Sequence, residues 1–170
     1  MIIGLCGLAG SGKSTVAGTL TGSFDYNRLA FADPLKGMLT SVGFTREQLY
    51  GAEKEALIPD LGVTPRQAMQ TLGTDWGRKT ISPDIWVNLW TRKARDLLAA
   101  GASVVADDVR FPNEVAAIKA LGGQIWRVER PGTVQMTHES EKHDLVADLT
   151  IRNDGSMADL SWVVAGLARA

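Results

Sequence analysis

The run GLAGSGKS, from Gly7 to Ser14, fits the spacing G-x-x-x-x-G-K-[ST]. That spacing grips a polyphosphate. Glycines let backbone N–H groups of Gly10, Ser11 and Gly12 turn toward phosphate oxygens, and Lys13 is long enough to reach the β and γ oxygens. The Ser14 hydroxyl suits Mg²⁺ and Thr15 falls beside the α-phosphate. ATP or GTP is therefore the expected ligand, and the acceptor is left open. No base-reading N-K-x-D occurs to mark a GTPase switch, so phosphoryl transfer to a small molecule is the default reading.

Three further polar segments offer an acceptor site. In FADPLK, Asp33 is expected to end a strand on the side of the sheet where the phosphate loop lies, with Lys36 on the first turn of the next helix. The alternative is that Asp33 only N-caps the helix ahead of Pro34. In TPRQAMQTLGTDWGR, Arg66 and Gln70 stand four apart on one helix face, and Gly73, Gly77 and Arg78 allow close approach and add a second guanidinium. Arginine forks match phosphate and glutamine can pair with a base edge. Trp76 and Trp86 are either stacking platforms for a base or core residues. In VVADDVRFPNE an apolar strand runs into acids, a Walker B pattern. Asp108 and Arg110 would sit where metal and acceptor phosphate meet, and Asp107 competes for the metal.

These side chains need a scaffold that brings strand ends together. Ile2 to Cys6 reads as a buried strand, Lys13 to Leu20 as a helix, and Tyr26 to Asp33 as a second strand. From there to Gly101 the pattern is helical. Thr64, Pro65 and Gln67 form a capping box, and Ser82-Pro83 begins an amphipathic helix through Leu98. Ala102 to Asp107 is an apolar strand, Pro112 to Leu121 a helix, QIWRVER and LTIR strands, and Ser156 to Arg169 a terminal helix. Strand and helix alternate throughout, with an all-helical insertion after the second strand, so an α/β domain is expected.

Composition narrows the partners. The chain has 170 residues, enough for one domain, and 18 Lys plus Arg against 19 Asp plus Glu give a net charge of -1. That balance lacks the basic excess a nucleic-acid binder needs. No charged leader or long apolar run appears, so a soluble, cytoplasmic protein without membrane contact is expected. Cys6 is alone, and His138 and His143 form no metal cluster, so structural zinc is not expected.

The loop, FADPLK, the R-x-x-x-Q then G-T-x-x-G-R of Arg66 to Arg78, DDVRFPNE, WRVERPG and HESE together resemble the phage-type deoxynucleoside monophosphate kinases, within the P-loop nucleoside monophosphate kinase group. The resemblance spans nearly the whole chain in order. It implies a three-layer α/β/α domain over 1–170 with a mostly parallel five-stranded sheet, a monophosphate-binding insertion over 34–100 and a lid over 127–146. It implies transfer from ATP with Mg²⁺ to a deoxynucleoside monophosphate (dNMP) inside an infected bacterium. Acceptor residues would be Asp33, Lys36, Arg66, Gln70, Trp76, Arg78 and Arg110. Arg127 and Arg130 would serve the transferring phosphoryl, Arg130 foremost. IRNDGSMADL, with Asn153 and Gly155, is similar to the adenine-side segment of related small kinases. Lys13, Asp33, Arg110 and Arg130 form the expected catalytic set, with Ser14 and Asp108 toward the metal. His138 and His143 receive no role, base preference stays open, and a homodimer is one candidate state. The rival readings are a hydroxyl acceptor, as in dephospho-CoA kinase, with Asp33 as base, and an ATP-binding regulatory module.

Overall fold

The computed structural model describes residues 1–133 and 145–169. HESE, with His138, and His143 lie outside the described residues, as does much of the expected lid. By internal packing the chain forms two compact units, one of Met1–Phe31 with Trp90–Ala170 and one of Ala32–Leu89. The second ends earlier than the insertion expected over 34–100, because the later turns of a long helix belong to the first.

The first unit is built on five strands: β1 (Ile2–Cys6), β2 (Tyr26–Arg28), β3 (Ser103–Ala106), β4 (Gln124–Glu129) and β5 (Leu149–Arg152). They lie in the order β2-β3-β1-β4-β5, and every pairing is parallel. β1 and β3 are continuous apolar runs because both their faces are covered. Ile3 and Leu5 face a core with Val16 and Leu20 of α1 (Lys13–Ser23) and Leu160 and Val164 of the C-terminal helix, Met157–Leu167. The opposite face carries the helix Pro112–Ala120, whose Ile118 would meet a Cβ on Gly4 at 2.5 Å. Helices on both faces of a parallel sheet make the three-layer α/β/α architecture. After β1 the chain turns toward β2, and after β3 it crosses back toward β4. The carboxyl ends of β1 and β3 therefore flank the switch point where ligands gather in such sheets.

Two expectations are corrected. β2 stops at Arg28, so Asp33 does not end a strand. The backbone leaves the sheet because other groups claim it: Leu29 N–H still donates to Val105 O at 2.9 Å, the Trp90 indole N–H takes Leu29 O at 2.8 Å, and Asp108 accepts from Phe31 N–H at 2.9 Å. Asp33 instead begins α2 (Asp33–Ser41), whose N-cap is Ala32, so Asp33 is not the cap either.

The second unit holds α2, α3 (Arg46–Tyr50), a short 3₁₀ turn (Ala52–Glu55), α4 (Pro65–Gln70) and the start of α5 (Ile85–Ala99). Thr64 and Gln67 make the expected capping box on α4. The other correction lies in GTDWGR. The single helix expected from Thr64 through this segment changes character after Gln70, and Thr71–Ile81 is π-helical. Trp86 supplies the reason. Its indole N–H donates at 2.7 Å to Gly73 O, the carbonyl an α-helix would offer to Gly77, and a Cβ on Gly77 would lie 2.5 Å from the same ring. Gly77 thus admits an indole. Trp86 is core, 2% exposed among Leu35, Leu39, Phe44 and Leu49.

The approach to β5 is fixed by Asp148. Its carboxylate accepts from Ile125 N–H at 2.6 Å and pairs with Lys119, and its own N–H donates to Ile125 O at 2.8 Å. The Ile125 N–H first, then Lys119, hold the Asp148 carboxyl below its ordinary value of 3.8. A depressed carboxyl contributes stability above the ordinary value and loses it as pH falls through the lower folded-state value. Asp148→Asn is expected to lower unfolding stability at pH 7 by about 1 kcal/mol, read from urea midpoints, and the gap to the parent should shrink as pH falls below the ordinary carboxyl value of 3.8.

Candidate functional site

Of the three positive-φ glycines between β1 and α1, two also leave no room for a Cβ. Gly7 has φ 135° and a Cβ there would lie 2.3 Å from Val128 O; Gly12 has φ 111° and a Cβ would lie 2.5 Å from the Asn153 amide nitrogen. Gly12 opens α1 with no side-chain cap, whereas α3, α4 and the C-terminal helix, α7, each carry a capping box. The N-cap position of α1 thus supplies no side-chain acceptor to the helix start, the arrangement that receives an anion. Lys13 curls back over the loop, its ammonium donating to Gly7 O at 2.7 Å and Leu8 O at 2.8 Å.

A cavity of about 360 Å³ opens at this loop, lined by Gly10, Gly12, Lys13, Ser14 and Thr15 and, from the far end of the sequence, by Arg130, Asn153 and Gly155. The expected ATP residues thus share one cavity, with two exceptions. Ser11 is buried, 1% exposed, behind the loop. The Arg127 guanidinium donates to Leu145 O and is not among the lining residues, so its position on β4 serves the Leu145 segment. Arg130, the preferred of the two arginines, does line the cavity. Ser156, Met157 and Leu160, which close the IRNDGSMADL segment expected on the adenine side, line it too, although the sequence singled out only Asn153 and Gly155 within that segment.

The acids after β3 have distinct attachments. Asp107 pairs with Arg28 of β2 at 2.8 Å, and its buried second oxygen has no hydrogen-bond partner among the described residues. Asp108 holds Phe31 N–H. Arg110 is exposed in the loop that follows. Glu114, 2% exposed, shapes that loop: one carboxylate oxygen accepts from Arg110 N–H at 2.7 Å and Phe111 N–H at 3.1 Å. Sequence reasoning assigned Glu114 no role, although Pro112 followed by an acid at the third helical position signals a carboxylate folded back on the helix start.

In the second unit, Lys36 of α2 lies with its ammonium 4.0 Å from the Tyr50 ring centre, a cation–π contact. Arg66 of α4 pairs with Glu55, and Gln70 ends the same helix, half-buried. Arg78 donates to Pro83 O at 3.3 Å. Trp76 is 39% exposed, its ring centre 6.4 Å from that of Trp86. Of the two tryptophans, Trp76 alone offers a ring to solvent.

A family model described as deoxynucleotide monophosphate kinase matches residues 54–164. A protein of Acanthamoeba polyphaga mimivirus, whose name includes the words deoxynucleotide monophosphate kinase, is 39% identical over 155 residues, which cover 83% of this chain and 80% of the relative. A solved structure from Chloroflexus aurantiacus J-10-fl, whose description includes the word kinase, aligns over 99% of this chain and 96% of its own with a TM-score of 0.52. At 13% identity that likeness bears on the fold alone.

Removing the Glu114 carboxylate leaves two loop N–H groups without their acceptor. Glu114→Ala is expected to cost roughly 2–4 kcal/mol, seen as a lowered urea midpoint, while Arg110→Ala, at an exposed position, should leave the midpoint within about 0.5 kcal/mol of the parent.

Proposed function

The chain belongs to the deoxynucleotide monophosphate kinase family, and from that premise we propose that it transfers the γ-phosphoryl of ATP to a deoxynucleoside monophosphate, giving ADP and the diphosphate. In an infected bacterium this would feed phage DNA synthesis. Family membership makes the chain an enzyme and sets aside the regulatory-module reading.

The observation that carries the ATP assignment is the cavity in which the glycine loop, Arg130 and the Asn153–Gly155 segment meet. The uncapped start of α1 and the space denied to a Cβ at Gly7 and Gly12 fit a polyphosphate laid against the backbone. Lys13 would exchange its bonds to Gly7 O and Leu8 O for β and γ oxygens, and Arg130 would balance charge on the transferring group. Mg²⁺, when bound, would neutralise the same oxygens. Ser14 is the hydroxyl for it and Asp108 the acid, with Asp107 as the competing carboxylate. The acceptor would be held by Arg66, Gln70, Arg78 and Lys36, with Trp76 as the stacking face and Asp33 and Arg110 orienting the reacting phosphate.

An acceptor phosphate is itself an anionic nucleophile, so the reaction needs alignment and charge stabilisation more than a base. Asp33 then orients substrate and does not abstract a proton. A hydroxyl acceptor would reverse that role.

The test is ADP release from Mg-ATP with dGMP, dTMP, dCMP, dAMP, their ribose counterparts and dephospho-CoA, each alone. Stimulation by deoxynucleotides is expected; stimulation only by dephospho-CoA would refute the proposed acceptor. Lys13→Ala should reduce turnover by at least about 10²-fold in this assay. Arg66→Ala should raise KM for the deoxynucleotide more than KM for ATP, and an unchanged acceptor KM would remove Arg66 from that site.

A further inference from the structure

We propose that Asn153 is a positioning residue for the triphosphate site, acting on the phosphate loop through the Ser11 carbonyl and not by reading the adenine base. The inference rests on the donor-site reading given above.

Asn153 follows β5 and is 7% exposed. Its side-chain amide donates to Ser11 O at 2.8 Å, and its main-chain N–H donates to Glu129 O at 2.7 Å. The amide orientation is dictated by its partner, since the reverse placement would set two acceptor oxygens against each other. The Ser11 hydroxyl has no hydrogen-bond partner among the described residues, so the polar hold on Ser11 from the β5 side runs through its carbonyl.

That carbonyl belongs to the same planar peptide as the Gly12 N–H. In a trans peptide the two point in opposite directions. A hydrogen bond that fixes Ser11 O toward Asn153 therefore fixes the direction of the Gly12 N–H, and Gly12 lines the cavity. The bond also polarises the peptide and strengthens that N–H as a donor. The close seat of the Asn153 amide, 2.5 Å from where a Gly12 Cβ would be, makes Gly12 and Asn153 one fitted pair. The second hold, on Glu129 O, lies one residue before Arg130, which lines the same cavity. Asn153 thus ties together the loop, the end of β4 that presents Arg130, and β5.

A base reader and a loop positioner differ in which part of the nucleotide they affect. Asn153→Asp keeps the shape and replaces the donor with an oxygen; Asn153→Ala removes the group. Affinities of the parent and both variants for Mg-ATP, Mg-tripolyphosphate and a deoxynucleoside monophosphate are measured by calorimetry, together with Tm. Both variants are expected to lose affinity for ATP and for tripolyphosphate by the same factor, about 10-fold or more, with Asp worse than Ala and the monophosphate unaffected. A loss confined to ATP would identify a base contact and overturn the inference, as would unchanged affinities. Equal loss for all three ligands would mean a general structural role and also overturn it. A parent that binds ATP but not tripolyphosphate would put the binding energy on the base and would likewise overturn it. A parent that binds neither would overturn the donor-site reading itself and this inference with it.

Discussion

Between β1 and α1 the backbone presses so closely on its neighbours that a methyl group at Gly7 would strike Val128 O and one at Gly12 would strike the Asn153 amide. Much of the first unit's arrangement follows from this closeness. The central strand must be parallel to β4 in a register that brings Val128 beside the loop, and β5 must continue past Arg152 to deliver Asn153. Asp148 secures that delivery from the other end of β5 by holding Ile125 N–H and Lys119. α7 starts cleanly at Ser156 with its own capping box, so its apolar side reaches Val16 and Leu20 of α1 and backs the loop. The phosphate loop is thereby braced on several sides by ordinary core packing.

At the other side of the switch point, the acids after β3 serve the scaffold whatever else they do. Asp107 balances Arg28, and Asp108 takes the Phe31 N–H as the chain leaves the sheet. Trp90 completes the exit by holding Leu29 O and stacking on Phe31, ring centres 4.5 Å apart. The two places where the chain passes between the units, Phe31–Ala32 and Leu89–Trp90, are marked by the two stacked rings.

The second unit gains its definition from helix ends and one indole. Capping boxes at Thr45 and Thr64 start α3 and α4, and Trp86 fills the centre. By taking Gly73 O, Trp86 forces the chain after α4 into a wider helix, and Trp76 emerges from that helix with its ring partly exposed. π-Helical segments are mostly single-turn bulges, and they occur frequently at functional sites. Here the widened helix coincides with the residues proposed to meet the acceptor.

Elements with a local cause were legible in the sequence. The glycine loop declares itself because its conformation depends on residues that are adjacent in the chain. The buried strands follow from unbroken apolar runs, and the α4 start follows from Thr64, Pro65 and Gln67. The order of elements came from the same source, and the three-layer class from the family resemblance. What the sequence could not contain were contacts between distant residues. The shortening of β2 depends on Trp90 and Asp108 competing for its backbone, the π-helical turn depends on an indole 13 positions away, and Arg127 is diverted by Leu145. The seat of Asn153 beneath Ser11 spans 142 positions. Hydrogen-bond groups choose partners by distance in space, and only the folded chain sets those distances.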